Sequence, residues 1–250
     1  MPPKFDQIRA GRSLEAKFSE SAAEWHPTRN VYISAPSDRS RIGTPRVKSH
    51  PVRDVEVREA LGERLRALSR DEDFLVVPEV RVQSHQVRMD VLKVAHRLTA
   101  WEIKSDFDTL KRLPTQVGGY NAVADRAVLV VGDRWLEKAE NSIPEWWGIW
   151  HAHHDGKHVR LKIVRTGKAN PRVDILSLAG FLSRWELTAE LQVRGISRLS
   201  SLSVESLRLE FVQKLGRRQA MSVIKNRMLY RADWTERAIA GRVSHPFTSP

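Results

Sequence analysis

Three side chains in two neighbouring segments have the types that hydrolysis at a metal centre needs. Asp90 lies in one segment rich in valine and leucine, and Glu102 and Lys104 lie in the next. Carboxylate oxygens are the ligands that Mg²⁺ prefers, and a lysine beside them can orient or help to deprotonate a metal-bound water. The trio therefore predicts a metal-assisted hydrolytic site, provided that the fold brings the two segments side by side.

Two short turns would place these carboxylates in one row together with Glu79. If the first turn is centred on residues 84–85, Glu79 faces Asp90 across two antiparallel strands; if the second is centred on His96, Asp90 faces Glu102. Cross-strand neighbours on one face of a sheet have Cβ atoms about 5 Å apart. A slip of one residue at either turn would move a side chain to the opposite face, so the row depends on both registers.

Alternation along the third of these strands separates the polar side chains from the core. Lys104 stands two residues beyond Glu102 and shares its face, whereas Trp101 and Ile103 point to the other face. Neighbouring carboxylates repel one another, and a hard divalent cation would compensate them. Because Mg²⁺ keeps several waters, two carboxylates and one backbone carbonyl would be enough to bind it.

The elements that would carry this site are predicted from hydrophobic periodicity. Apolar residues at steps of three and four predict an amphipathic helix over Val52–Ser69. Three runs rich in β-branched residues predict strands at Phe74–Val82, Val87–Val94 and Leu98–Lys104. These strands would form an antiparallel meander that follows the helix.

Further elements are predicted downstream of the three strands. A second helix is expected over Asp108–Ala124, with Asp108 as its N-cap and Pro114 marking a kink or a second start. The apolar run Ala127–Val131 predicts a strand buried on both faces, and Asp155-Gly156 predicts a hairpin turn. From residue 173 onwards, helical spacing predicts a tail of four helices.

The spacing of the site residues resembles that of the PD-(D/E)XK nuclease superfamily. Eleven residues separate Asp90 from Glu102-Ile103-Lys104, and Met89 stands where the pattern has proline. Gln116 and Tyr120 are similar to the Gln-x₃-Tyr motif of the branch related to bacterial recombination nucleases. The predicted order of helix, three strands, helix and strand also matches the core of that fold.

A longer segment resembles an uncharacterised bacterial and phage subfamily of the same superfamily. Residues 102–116 have the pattern E-I-K-S-D-x-D-T-L-x-R-L-P-x-Q. The resemblance extends over roughly residues 52–230. A bare Asp…Glu-x-Lys triplet is common by chance, so the longer motif and the element order give the resemblance its weight.

The resemblance implies a role for each matching residue of the triplet. Asp90 and Glu102 would bind Mg²⁺ or Mn²⁺ together with the backbone carbonyl of Ile103. Lys104 would position the attacking water or stabilise the charge that develops on the phosphate. The replacement of proline by Met89 leaves this chemistry intact.

The resemblance also implies supporting residues outside the triplet. Gln116 and Tyr120, one turn apart on the same helix face, would support the catalytic site or touch the phosphate backbone. The superfamily often adds an acid from its first helix, so Glu59 and Glu63 are candidate metal ligands beside Glu79. The pairing of the strands places Glu79 better than the two helix acids as a metal ligand, but the sequence does not decide among the three.

The expected fold is an α/β restriction-endonuclease-like core, in which helices flank a mixed central sheet, with an added β-hairpin and a C-terminal helical region. We expect an irregular basic arm over residues 1–50 and the nuclease-like core with its hairpin over residues 51–170. Residues 171–250 would form the helical region, as a DNA-binding unit or as a helical cap on the core.

The distribution of charge favours a polyanionic partner. The 250-residue chain has a formal net charge of +12. The first 50 residues carry 9 bases and 5 acids (+4), and residues 183–250 carry 12 bases and 6 acids (+6). Because basic side chains that contact phosphates release counterions, DNA is the expected partner, bound by a monomer or a homodimer.

Composition excludes several other classes of protein. The chain has no cysteine, which excludes disulfides, thiolate metal sites and a cysteine nucleophile. No apolar run approaches the roughly 20 residues of a membrane span, and the N-terminal residues lack the apolar stretch of a signal peptide. We therefore expect no membrane association and a cytoplasmic location.

The leading hypothesis from the sequence is a Mg²⁺-dependent deoxyribonuclease that hydrolyses phosphodiester bonds with an activated water. One alternative is a nucleic-acid-binding module that keeps the fold without catalysis, and another is a nuclease directed at RNA. Gly118 and Gly119 leave a second question open, because either a strand or a nucleic acid backbone could approach the predicted helix at that point.

Overall fold

The computed structural model describes residues 50–68 and 72–243 of the chain. The expected basic arm over residues 1–50 therefore lies outside the described residues, except for residue 50. Within the two described ranges, no helix combines the length and the apolar character needed to cross a bilayer.

Helices and strands alternate over most of these ranges. In chain order they are α1 (Asp54–Leu68), β1 (Phe74–Val82), β2 (Val87–Val94), β3 (Leu98–Lys104), α2 (Leu113–Val123), β4 (Arg126–Val131), α3 (Leu136–Ser142), β5 (Gly148–His154), β6 (Val159–Arg165), α4 (Ile175–Ala179), α5 (Arg184–Val193), α6 (Val204–Leu229), α7 (Ala232–Arg237) and β7 (Ala240–Arg242). The first three strands have the predicted bounds.

All seven strands belong to one mixed sheet with the spatial order β6-β5-β4-β3-β2-β1-β7. Strands β3, β4 and β5 are parallel to one another, and the remaining pairs are antiparallel. The predictions of an α/β fold, an antiparallel meander and a hairpin are confirmed. Strand β7 was not predicted, because the short sequence Ala240-Gly241-Arg242 has little β-propensity.

Helices cover both faces of the sheet and bury its central strand. Leu129 and Val131 of β4 belong to the core beneath α2, whereas Val128 and Val130 belong to the core beneath α1. The prediction that this strand is buried on both faces is therefore confirmed. The sheet thus presents different side chains of one strand to two separate helical layers.

The start of α2 differs from the prediction. The helix begins at Leu113 with Pro114 in its first turn, where the missing N–H of proline costs no helical hydrogen bond. Asp108 is not its N-cap, because its carboxylate instead accepts hydrogen bonds from the backbone N (2.9 Å) and Oγ (2.6 Å) of Ser105. Pro114 is therefore a start of the helix and not a kink within it.

The C-terminal helices pack on the same face of the sheet as α2. Leu178, Leu187 and Phe211, from α4, α5 and α6, are fully buried in the core that includes β2 and β4. Helix α6 is interrupted at Gly216, whose φ of 69° is not helical. This break falls between two of the four helices that were predicted for the tail.

Candidate active site

Both predicted registers occur in the sheet. Pro78 pairs with Val91 and Val80 pairs with Met89 across β1 and β2, while Val91 pairs with Trp101 across β2 and β3. The same registers place Asp90 beside Glu79 on β1 and beside Glu102 on β3. The turn centres predicted from the sequence are therefore confirmed.

Glu79 leaves the regular strand geometry at this point. Its φ of 55° lies in the left-handed region, which a non-glycine residue seldom adopts. Its carboxylate lies 3.0 Å from Nη2 of Arg58 and also forms an ion pair with Arg88. The structure thus directs Glu79 towards two arginines, so the expected continuous row of three carboxylates is interrupted.

Asp90 lies at the end of the β2–β3 ladder. Its Oδ2 accepts a 2.8 Å hydrogen bond from the backbone N of Ile103, and its Oδ1 lies 3.0 Å from Nη2 of Arg58. Burial raises the pKa of the Asp90 carboxyl above its ordinary value, although the Ile103 amide and the charge of Arg58 favour the carboxylate. Asp90 is therefore bonded to β3 through the Ile103 amide and to α1 through Arg58.

Glu102 and Lys104 form a buried ion pair on the α2 face of β3. The Lys104 Nζ lies 2.5 Å from Oε1 of Glu102, and their side chains are 5% and 0% exposed. Burial, reinforced by the charge of Asp90, raises the pKa of Glu102 to about 7, although Lys104 and Tyr120 favour the carboxylate. As predicted, Trp101 and Ile103 point into the core on the opposite face.

Tyr120 connects the two strands from helix α2. Its hydroxyl donates a 2.6 Å hydrogen bond to Oε2 of Glu102 and accepts one of 2.9 Å from the backbone N of Asp90. The side chain is fully buried, and burial raises the pKa of the phenol well above its usual value. The hydroxyl therefore stays neutral and can donate to Glu102.

Gln116, one turn earlier on α2, lines a cleft that also reaches Asp90. Its Oε1 is buried and has no hydrogen-bond partner in the structure. The structure therefore brings Gln116 and Tyr120 to the site from one helix. Tyr120 is hydrogen-bonded to the Glu102 carboxylate, and Gln116 lines the adjacent cleft.

Helix α1 presents an arginine to the site. Arg58 donates to the Asp90 carbonyl oxygen at 2.9 Å, and its Nε lies 2.6 Å from Oδ2 of Asp54. Glu59 and Glu63, the two acids considered from this helix, are exposed. Sequence reasoning missed both Arg58 and Asp54, although their spacing of four residues is a signal for an ion pair on one helix face.

The acids that follow Lys104 hold the end of β3 in place. The Asp106 carboxylate accepts hydrogen bonds from the backbone N of Val52 (2.7 Å) and of Arg134 (2.8 Å), and so links the approach to α1 with the end of β4. A Cβ atom at Gly132 would overlap with this carboxylate. The S-D-x-D part of the motif therefore stabilises the strand end that carries Glu102 and Lys104.

A basic cleft of about 680 Å³ opens beside Asp90. Side chains from β1, β2 and the start of α2 line it, among them Arg81, Gln83, Arg88, Asp90, Arg112 and Gln116. Arg81 and Arg88 are register partners on adjacent strands. The cleft therefore joins a carboxylate of the candidate site to a surface with three arginines.

The carboxylate oxygens of Asp90 and Glu102 already have protein partners, namely the Ile103 amide, Arg58, Lys104 and Tyr120. The described part of the chain contains no group of three or more histidine, aspartate and glutamate side chains arranged to hold a metal ion. Burial, and secondly the charge of Asp90, raises the pKa of Glu102.

Comparison with known proteins identifies phage relatives of this chain. A family model described as Bacteriophage P4 protein cII matches residues 48–244. Protein cII of Enterobacteria phage P4 is 28% identical over 180 residues, which cover 70% of this chain and 68% of that protein. No solved structure matches the chain. The matched region contains all the residues of the candidate site.

Proposed function

This chain belongs to the bacteriophage P4 protein cII family, and we propose that it is a Mg²⁺-dependent nuclease that hydrolyses DNA phosphodiester bonds. One observation carries the proposal: Asp90 and Glu102 lie on the adjacent strands β2 and β3, with Lys104 bonded to Glu102 and Tyr120 bonded to both strands. This arrangement has the acids, the base and the supporting hydroxyl that the sequence motif implies.

The order and pairing of the elements support a restriction-endonuclease-like core. Helix α1 precedes the antiparallel strands β1, β2 and β3, and α2 then leads to β4, which is parallel to β3. Asp90 lies in the middle of β2, and Glu102 lies near the end of β3. We therefore propose PD-(D/E)XK chemistry on this fold.

Each residue has a distinct role in the proposed reaction. Asp90 and Glu102, with the Ile103 carbonyl, would hold Mg²⁺ or Mn²⁺, which supplies positive charge at the phosphate and lowers the pKa of a bound water. Lys104 is held beside Glu102, where it would orient the attacking water or stabilise negative charge on the phosphate. Tyr120 keeps the Glu102 carboxylate in position.

The test is a cleavage assay with a substrate panel. Supercoiled, linear and single-stranded DNA, and single-stranded RNA, are incubated with wild type and with Asp90→Asn in Mg²⁺, Mn²⁺ or EDTA. We expect wild type to cleave DNA only when a divalent cation is present, and Asp90→Asn to give no product. Lys157→Ala, on the exposed β5–β6 turn, should cleave as wild type does. Equal cleavage by Asp90→Asn would contradict the proposal, and cleavage of RNA alone would replace DNA as the substrate.

A second candidate function is DNA binding without catalysis. The observation that favours it is the burial of Glu102 and Lys104, which neutralise each other, together with Arg58 bonded to Asp90. In that case the carboxylates would stabilise the fold and the arginines of the cleft would bind the backbone. Retained binding in EDTA, with no product from any DNA form under Mg²⁺ or Mn²⁺, would select this function.

A further inference from the structure

The cleft beside Asp90 has the features of a site for one nucleic acid strand. We propose that it binds single-stranded DNA, whose phosphates contact Arg81, Arg88 and Arg112 and whose scissile phosphate reaches Asp90. This inference names the substrate form for the proposed nuclease and rests on that proposed function.

Two of the three arginines in the cleft, Arg81 and Arg112, have no acidic partner among the described residues. Arg81 and Arg88 stand directly opposite each other on β1 and β2, and like charges in this position destabilise a sheet. Arg88 is paired with Glu79. Within the part of the chain that the structure describes, neither Arg81 nor Arg112 forms an ion pair with an acid. A phosphate between these exposed arginines would remove the repulsion and supply the missing partner.

One polar group of the cleft lacks a partner. Gln116 lines the cleft, and its Oε1 is buried and accepts no hydrogen bond. A base amino group in the cleft would supply the donor that this oxygen lacks.

Space favours one strand over two. A volume of about 680 Å³ is within the range that a drug-sized ligand fills, roughly 300–1,000 Å³, so it holds a few nucleotides of one strand. The Asp90 side chain is 17% exposed and that of Glu102 is fully buried. A phosphodiester bond must therefore enter the cleft to approach Asp90, and a flexible single strand can bend into it more easily than a stiff duplex.

Binding is tested separately from cleavage by fluorescence anisotropy in EDTA. The probes are a labelled 12-nucleotide single-stranded DNA, the corresponding duplex and an RNA of the same sequence, each titrated with full-length protein at several salt concentrations. We expect the single strand to bind at least about tenfold more tightly than the duplex, because unpaired strands enter the cleft and offer their bases.

Substitutions locate the binding site. The double variant Arg81→Ala/Arg112→Ala should weaken single-strand binding by at least about tenfold and reduce the slope of log affinity against log salt by roughly 1.4, since each lost contact with a single strand removes about 0.7. The matched variant Lys157→Ala/Lys162→Ala removes two exposed lysines of the β5–β6 hairpin and should bind as wild type does. Circular dichroism confirms that each variant is folded.

Three results would overturn the inference: equal or tighter binding of the duplex, tighter binding of RNA than of DNA, or unchanged affinity and salt slope in Arg81→Ala/Arg112→Ala. The outcome is distinguishable from that of the proposed function. Single-strand binding in the cleft without any cleavage would support this inference and contradict the proposed nuclease activity. Cleavage of a duplex that binds better than a single strand would support the nuclease activity and contradict this inference.

Discussion

The hydroxyl of Tyr120 donates a 2.6 Å hydrogen bond to Oε2 of Glu102 inside the core. The Tyr120 hydroxyl oxygen also accepts a hydrogen bond from the backbone N of Asp90. One side chain of α2 therefore joins β2 and β3 at the candidate site. A sequence motif that separates Tyr120 from Glu102 by seventeen residues thus becomes a direct contact between a helix and a strand.

Removing this hydroxyl should destabilise the protein. Tyr120→Phe leaves Glu102 Oε2 and the amide of Asp90 without their partner in a buried site, and one unsatisfied buried group costs about 1–3 kcal/mol. Urea unfolding measures the loss. Tyr230→Phe, at the half-exposed end of α6, is the control and should change the free energy of unfolding by less than about 0.5 kcal/mol. Equal effects of the two substitutions would contradict this account of the site.

Arg58 is expected to stabilise the carboxylates on the α1 side. Its Nη2 lies 3.0 Å from both Asp90 and Glu79, so Arg58→Met leaves these acids without their shared cation. Breaking a buried pair costs about 3–5 kcal/mol; because the Arg58 side chain is 23% exposed, we expect a loss of about 2 kcal/mol in urea unfolding. Arg66→Met, on the exposed last turn of the same helix, should cost less than about 0.5 kcal/mol. Equal losses in the free energy of unfolding for Arg58→Met and Arg66→Met would contradict a stabilising role of Arg58 at the carboxylates.

The adjacent glycines of α2 should respond in opposite directions to alanine. A Cβ at Gly119 would overlap with Cγ2 of Val87, whereas a Cβ at Gly118 meets nothing within 4 Å. Gly119→Ala should therefore cost about 1–3 kcal/mol through overpacking, and Gly118→Ala should gain up to about 1 kcal/mol from helix propensity. Thermal or urea unfolding compares them directly, and a stabilising Gly119→Ala would show that α2 does not pack this closely on β2.

Stability should depend on pH through Glu102. Its pKa in the folded protein is about 7, above the ordinary value of 4.5, so between these values the folded state retains a proton that the unfolded chain releases. The free energy of unfolding therefore falls as pH rises from about 4.5 to 7 and levels off above. At about 1.36 kcal/mol per pH unit, the change is about 3 kcal/mol.

Glu102→Gln isolates this contribution. In EDTA, the stability of Glu102→Gln relative to wild type should increase by about 3 kcal/mol between pH 4.5 and 8, because only wild type loses the proton. Glu59→Gln, an exposed substitution on α1, should follow the wild-type pH profile. Parallel profiles for wild type and Glu102→Gln would mean that Glu102 titrates normally.

The strands and their registers were predictable because they depend on local patterns. Alternating apolar residues and two compact turns determine which residues of β1, β2 and β3 pair, and the observed pairs follow. Glu79 shows the limit of this reasoning. A single left-handed residue rotates its carboxylate towards arginines, and strand periodicity contains no signal for such an irregularity.

The contacts that complete the site depend on tertiary packing. The family resemblance offered Glu59 and Glu63 of α1 as alternatives to Glu79, but the helix, packed through its buried side chains Val57 and Leu61, exposes both and turns Arg58 towards Asp90. The cleft could not be predicted either, because its arginines come from β1, β2 and the start of α2. Only the assembled sheet and helix bring them together.

The central claim is tested most directly by single-turnover cleavage of a 5′-labelled single-stranded DNA with Mg²⁺ by wild type and Lys104→Met. We expect wild type to cleave and Lys104→Met to be slower by at least about 100-fold, with unchanged DNA affinity in EDTA and a native circular dichroism spectrum. Lys157→Ala, purified in the same way, excludes a contaminating nuclease if it cleaves at the wild-type rate. Cleavage by folded Lys104→Met at the wild-type rate would contradict the assignment of this site as the nuclease centre.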